Sequence, residues 1–101
     1  MQFVVIAYDA KDDKALERRL AVREDHLANA KKMFDEGKLL YASGILDDNG
    51  KMIGSVMFAD FPSVEALKDE WFTKEPYIKG NVWQDIEVKR AGVAPFCLIK
   101  K

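Results

Sequence analysis

The chain contains one cysteine, one histidine and three prolines in 101 residues, and it has almost no net charge. Cys97 has no partner for an internal disulfide, which excludes a stapled secreted scaffold and fits a reducing, cytoplasmic setting. A lone His26 without a cysteine cluster offers no recognisable zinc or iron set, so no metal ligands are assigned. Sixteen basic and seventeen acidic residues leave a formal charge of -1. There is no basic surplus to neutralise phosphates, and nucleic acid is not expected as a partner. No Gly-rich phosphate loop or dinucleotide fingerprint is present, so no cofactor is expected. The run Gln2 to Tyr8 is apolar but short, and it passes into Asp9, Lys11, Asp12 and Asp13. It reads as neither a signal peptide nor a membrane span, and no membrane contact is expected.

What is present points to one globular domain over residues 1–101. Apolar residues make up 49% and charged residues 33%, enough apolar surface to exclude disorder as the main state. Phe3 to Tyr8 is β-branched and aromatic without polar alternation, the pattern of a strand buried on both faces. The spacing then predicts a long helix from about Lys14 to Glu36, capped by Asp12 or Asp13 and stopped by Gly37. On it Leu16, Leu20, Leu27 and Phe34 form one stripe, the expected core face. Lys38 to Leu46 reads as a second strand, with Ser43-Gly44 marking a bulge or a close backbone approach. Asp47 to Gly50 is a hairpin turn, with Asn-Gly supplying positive φ, and Met52 to Ala59 is the third strand. Ser63 caps a second helix whose inner face carries Val64, Leu67 and Trp71. Glu75-Pro76-Tyr77 reads as the loop after that helix, Val82 to Lys89 as the fourth strand, and Pro95 to Ile99 as a short terminal extension.

This order is β-α-β-β-α-β, an α+β ferredoxin-like arrangement of two helices on one face of a four-stranded antiparallel sheet. The first and third strands alternate apolar with apolar, so the second sheet face also needs cover. No further element remains to provide it, and a homodimer packed sheet on sheet is expected.

The candidate chemistry centres on His26. Arg19, Arg23 and His26 share a stripe at i, i+4 and i+7 bordering the core face. Histidine exchanges protons near neutral pH without large tuning, which suits a general acid and base. Asp9 ends the first strand, and a carboxylate on one ring nitrogen would fix the tautomer, although spacing alone does not bring Asp9 to His26. Arg19 and Arg23 offer forked donors to an anionic substrate. Ser55 beside Gly54 offers a hydroxyl and room for a ligand, and Glu75 and Tyr77 are candidates for lining the same cavity. For each there is a plainer reading: a boundary histidine, solvated arginines, a turn aspartate, a packed aromatic.

The segments Arg19-Leu20-x-Val22-Arg23-x-x-His26-Leu27-Ala28, Asp35-Glu36-Gly37-Lys38-Leu39-Leu40, Gly54-Ser55 and Pro76-Tyr77 with Gly80, together with Asp9, resemble the YCII-related family of the dimeric α/β barrel superfamily. The resemblance implies a catalytic histidine at His26 and a partner aspartate at Asp9. It also implies proton-transfer chemistry on small, often aromatic-derived molecules, since one family branch is a dehydrochlorinase acting on a chlorinated hydroxyhydroquinone and related barrels include muconolactone isomerase. The sequence departs from the family in having Glu75-Pro76 where Asp-Pro is common, which leaves Asp9 and Glu75 as alternative partners for His26. It is also extended from Arg90 to Ala94. The resulting expectation is a cofactor-independent lyase or isomerase acting on a small anionic metabolite in a cavity between sheet and long helix. The alternative is a non-catalytic small-molecule-binding or accessory dimeric protein.

Overall fold

A computed structural model describes residues 1–98 of the chain. Four strands, β1 (Gln2–Asp9), β2 (Leu39–Leu46), β3 (Met52–Asp60) and β4 (Trp83–Ala91), form one sheet in the order β2-β3-β1-β4. Every pairing is antiparallel. Helices α1 (Ala15–Ala21) and α2 (Arg23–Asp35) follow β1, and α3 (Val64–Leu67) and α4 (Pro76–Lys79) lie between β3 and β4. The architecture is the expected ferredoxin-like one. Pro95–Leu98 adds a 3-10 turn, and Ile99, the last residue of the expected extension, lies outside the described residues.

In β1, Phe3, Val5, Ala7 and Asp9 are buried towards the helices, whereas Val4 and Ile6 on the other face are only half-buried and Tyr8 is exposed. Period-two geometry produces this split. Val56, Phe58 and Tyr41 pair with Ile6, Val4 and Phe58 respectively, so the open face is largely apolar across β1, β2 and β3. On the same face β4 sets Lys89, Glu87 and Asp85 opposite Val4, Ile6 and Tyr8.

The long helix is broken. Val22 has φ -118 and ψ 12, between α1 and α2, with no side-chain cap on either helix start. Asp12 does not cap the helix itself. It accepts from the Lys14 backbone N–H and pairs with Arg18 at 2.6 Å. The expected core stripe is also wrong: Leu20, Leu27 and Phe34 are 53%, 46% and 56% exposed, and Leu16 is half-buried. The inward face is Ala15, Arg19, His26 and Met33, with Val22 and Ala30 partly buried. Both sets step by four and then twice by seven residues and so run as parallel stripes on a helix. The polar one goes inward because the sheet and α4 provide carboxylates to receive it.

Other local features follow from single residues. Gly37 ends α2 at φ +78, and Ser63 Oγ accepts from Ala66 N–H at 3.0 Å, both as expected. At the hairpin only Gly50 has positive φ; Asp47 holds the turn by accepting from the N–H groups of Asn49 and Lys51. The register through Ser43-Gly44 is regular, and the irregularities fall at Leu39/Tyr41 and Ile45/Leu46. The close backbone approach is at Gly54, where a Cβ would collide with the Ala7 carbonyl oxygen.

After Leu67 the helix widens into a π-helical turn, Lys68–Phe72, that buries Trp71. Glu75-Pro76-Tyr77 is not a loop. Pro76 opens α4, which suits its fixed φ and missing N–H, and Glu75 caps it by accepting from the Tyr77 N–H.

Candidate active site

Two carboxylates are buried behind the helix pair, each bound to one inward-facing basic side chain. At the end of β1, Asp9 receives Arg19: Nη1 donates to Oδ1 at 2.9 Å and to Oδ2 at 3.1 Å. Arg19 Nη2 donates to Ser55 Oγ on β3 at 2.9 Å, and the Trp83 indole N–H reaches the same oxygen at 3.3 Å. Burial pushes the Asp9 carboxyl above its ordinary value, while the Arg19 charge and hydrogen bond pull against that rise.

At α4, Glu75 is 1% exposed and takes three partners. Trp71 Nε1 donates to Oε1 at 3.0 Å, the Tyr77 backbone N–H donates to Oε2 at 3.0 Å, and His26 Nδ1 lies 2.8 Å from Oε2. A group that accepts from two fixed N–H donors is best served by an ionised carboxylate. The proton between it and His26 then belongs to Nδ1, which leaves the lone pair of the neutral ring on Nε2. Nε2 has no partner among the described residues, and Arg19 Nε is the one side-chain nitrogen or oxygen sealed from solvent without one. Nε2 is therefore open to the cavity that His26 lines.

The Tyr77 ring packs against both bases. It stacks on the His26 imidazole at 3.8 Å with 11° between planes, and the Arg19 guanidinium carbon lies 4.7 Å from its centroid. Burial raises the pKa of its phenol, opposed by the Arg19 and Arg23 charges.

Arg23, His26, Leu27, Ser55, Met57 and Tyr77 are among the residues around a cavity of about 130 Å³ between the helix pair and the β2–β3 side of the sheet. Arg23 is exposed and has no ion-pair partner among the described residues. The expected site residues are thus brought together, with two corrections. The carboxylate on His26 is Glu75, not Asp9, because Asp9 is held by Arg19. Glu75 does not line the cavity either; it stands behind the imidazole. Sequence reasoning placed Trp71 in the core, where it lies, but missed Trp71 and Trp83 as polar partners. The available signal was that a buried indole N–H needs an acceptor.

The model of the YCII-related domain matches residues 1–92. The Escherichia coli protein YciI is 37% identical over 95 residues, covering 88% of this chain and 94% of that protein. Among solved structures, the 5-chloro-2-hydroxyhydroquinone dehydrochlorinase of Burkholderia phenoliruptrix, in complex with 2,5-dihydroxybenzoquinone, is similar with a TM-score of 0.77 at 19% identity. That similarity covers 95% of this chain and 98% of the other. A dimeric ferredoxin-like protein from an uncultured marine organism has a TM-score of 0.53 at 17% identity, covering 89% and 92% of the two chains. Likeness at such identities speaks for the fold, whereas the family model and YciI carry the kinship. The chain belongs to the YCII-related family.

Proposed function

We propose that this protein is a cofactor-independent acid–base enzyme of the lyase or isomerase kind, acting on a small anionic metabolite. The observation that carries the reading is the His26–Glu75 contact with Nε2 left open to the cavity. Glu75 fixes the tautomer and stabilises the imidazolium that forms when Nε2 takes a proton, the role an aspartate has in a hydrolase triad. Arg23 supplies the cation for the substrate. The Arg19 charge is already matched by Asp9, so these two residues hold the wall rather than the substrate. Both lone pairs of Ser55 Oγ are engaged by Arg19 and Trp83, which leaves its proton for a ligand. Tyr77 forms the platform under His26.

The similarity to a dehydrochlorinase makes a chlorinated hydroxyhydroquinone the first compound to try. Chloride release from 5-chloro-2-hydroxyhydroquinone, and deuterium exchange into a panel of small enolisable acids, test the reading. His26→Asn should retain ligand and lose roughly a hundredfold or more of turnover. A wild-type protein that binds these compounds without turning over or exchanging any of them is a binding module instead.

The same reading places a second copy on the open sheet face. Tyr41, Phe58, Val93 and Leu98 border an apolar groove of about 570 Å³ there, and a similar fold is dimeric. Sedimentation at micromolar concentration should give a dimer, and a monomer would remove this part. The exposed thiol of Cys97 suits a reducing cytoplasm. No helix among the described residues is long and apolar enough to cross a membrane.

A further inference from the structure

We propose, resting on the acid–base reading above, that the Tyr77 hydroxyl donates a hydrogen bond to an oxyanion on the substrate, and that the substrate is an enolisable carbonyl compound about one ring in size. Three observations lead there. The Tyr77 side chain is almost wholly enclosed, at 1% exposure, yet it lines the cavity. Its Oη has no partner among the described residues and is not sealed from solvent, so its small remaining exposure includes the hydroxyl. Of the other polar groups of the inner wall, both carboxylates are engaged, Asp9 with Arg19 and Glu75 with Trp71, His26 and Tyr77 N–H. Ser55 Oγ accepts from Arg19 and Trp83, which leaves its own O–H as a second neutral donor beside the phenol.

The stack on His26 and the contact with Arg19 fix the direction of the ring. Burial also keeps the phenol protonated, so it remains a donor across the neutral range. The hydroxyl and Nε2 therefore belong to near-parallel rings 3.8 Å apart that line one cavity, and neither atom is sealed from solvent. A proton-bearing carbon facing Nε2 places an adjacent carbonyl oxygen within reach of the phenol. The volume of about 130 Å³ is close to the ~150 Å³ that admits a benzene ring, which sets the size limit.

The step balances without a redox partner. His26 Nε2 takes a proton from the carbon next to the carbonyl, so a C–H bond breaks and an N–H bond forms. The electron pair moves onto the carbonyl oxygen, which accepts from the Tyr77 O–H as it becomes an oxyanion. Electrons then return from oxygen, and either the imidazolium delivers its proton to a different carbon or the bond from the β-carbon to a leaving group breaks. In the second case the group departs as an anion with the bonding pair, and the imidazolium releases its proton to solvent. A preorganised donor aimed at charge that develops only in the transition state contributes to rate more than to ground-state binding.

The test uses 4-nitrophenolate, a one-ring oxyanion whose visible band moves to the blue when its oxygen accepts a hydrogen bond. Wild-type protein should bind it saturably with a band shifted to the blue of the band in the Tyr77→Phe complex. Tyr77→Phe keeps the stacked ring, and it should weaken binding roughly tenfold to a hundredfold and lack that blue shift. Arg23→Gln should weaken binding through lost charge and keep the shift. Uniform 3-fluorotyrosine, a stronger donor of nearly unchanged shape, should deepen the shift in an otherwise wild-type chain, which covers the case of a Phe variant that fails to fold. A band equally blue in Tyr77→Phe, or a shift that disappears with Arg23→Gln alone or ignores fluorination, overturns the assignment while leaving His26 as the base. Failure of the wild-type protein to bind the probe overturns this inference, whereas the acid–base reading falls only on the absence of turnover and exchange.

Discussion

Glu75 Oε2 lies 2.8 Å from His26 Nδ1 across 49 residues of sequence, and the same oxygen accepts the N–H of Tyr77, whose ring stacks on that imidazole. One carboxylate therefore fixes the tautomer of the base and the position of the platform beneath it. Glu75→Gln keeps the size but loses the charge, and a Gln amide donating to Nδ1 would place the ring proton on Nε2. Turnover of any substrate found for the protein should drop by roughly 10²- to 10⁴-fold in kcat. Glu75→Asp, one carbon shorter, should recover part of it. Equal activity in wild type and Glu75→Gln would show that the carboxylate is only structural.

The Asp9–Arg19 pair is a different kind of contact. Both side chains are nearly enclosed, at 3% and 4% exposure, so removing one leaves the other as an uncompensated buried charge. Asp9→Ala should cost about 3–5 kcal/mol in chemical denaturation. Replacing both residues with apolar side chains of similar volume should cost much less than the sum of the single changes. An additive double mutant would mean that the pair is not coupled.

Acid sensitivity has a local source at the surface. Arg18 holds the Asp12 carboxyl at about 2, below its ordinary 3.8. Because the folded value is the lower one, the folded state binds fewer protons than the unfolded state between the two. The stabilisation is complete above about pH 4 and is lost as pH falls through about 2. Melting temperature should therefore fall less steeply between pH 4 and pH 2 in Asp12→Asn than in wild type, and parallel curves would contradict the assignment.

The helix pair makes a fourth prediction. Leu20→Gln and Phe34→Gln sit on the exposed stripe and should change stability by no more than about 0.5 kcal/mol in the monomer fold. Met33→Ala, on the buried stripe, should cost about 2–5 kcal/mol. The reverse ranking would mean that the helix pair is rotated about its axis relative to the described structure.

These helices also show where sequence reading succeeds and where it stops. The succession of strands along the chain, the Ser63 cap and the Gly37 stop are local, depending on period two, one hydroxyl and one positive φ, and each was legible. The gathering of Arg19, Arg23 and His26 was legible too, because an i, i+4, i+7 pattern shares a face whichever way the helix turns. Which face turns inward was not. Leu20, Leu27 and Phe34 look like a core stripe until it is known that Asp9 and Glu75 wait beneath the other one, and those carboxylates come from β1 and α4. The partner of His26 was legible only as one of two alternatives, Asp9 or Glu75, for a similar reason. Glu75 precedes a proline and so reads as a loop residue, but Pro76 is the first residue of a one-turn helix whose cap is that glutamate.

The π-helical turn Lys68–Phe72 has a consequence for how this family can vary in length. The wide turn absorbs one more residue than an α-helix would, and Trp71 within it reaches the acceptor Glu75 four positions later. Dropping a residue there would relax the turn and swing everything that follows by about 100° relative to the helix before it. Trp71, Glu75 and Tyr77 would then turn away from the imidazole as a group. Substitutions at the exposed Lys68, Asp69 and Glu70 should be well tolerated in natural relatives, whereas a one-residue gap should appear only together with a rebuilt partner for the histidine.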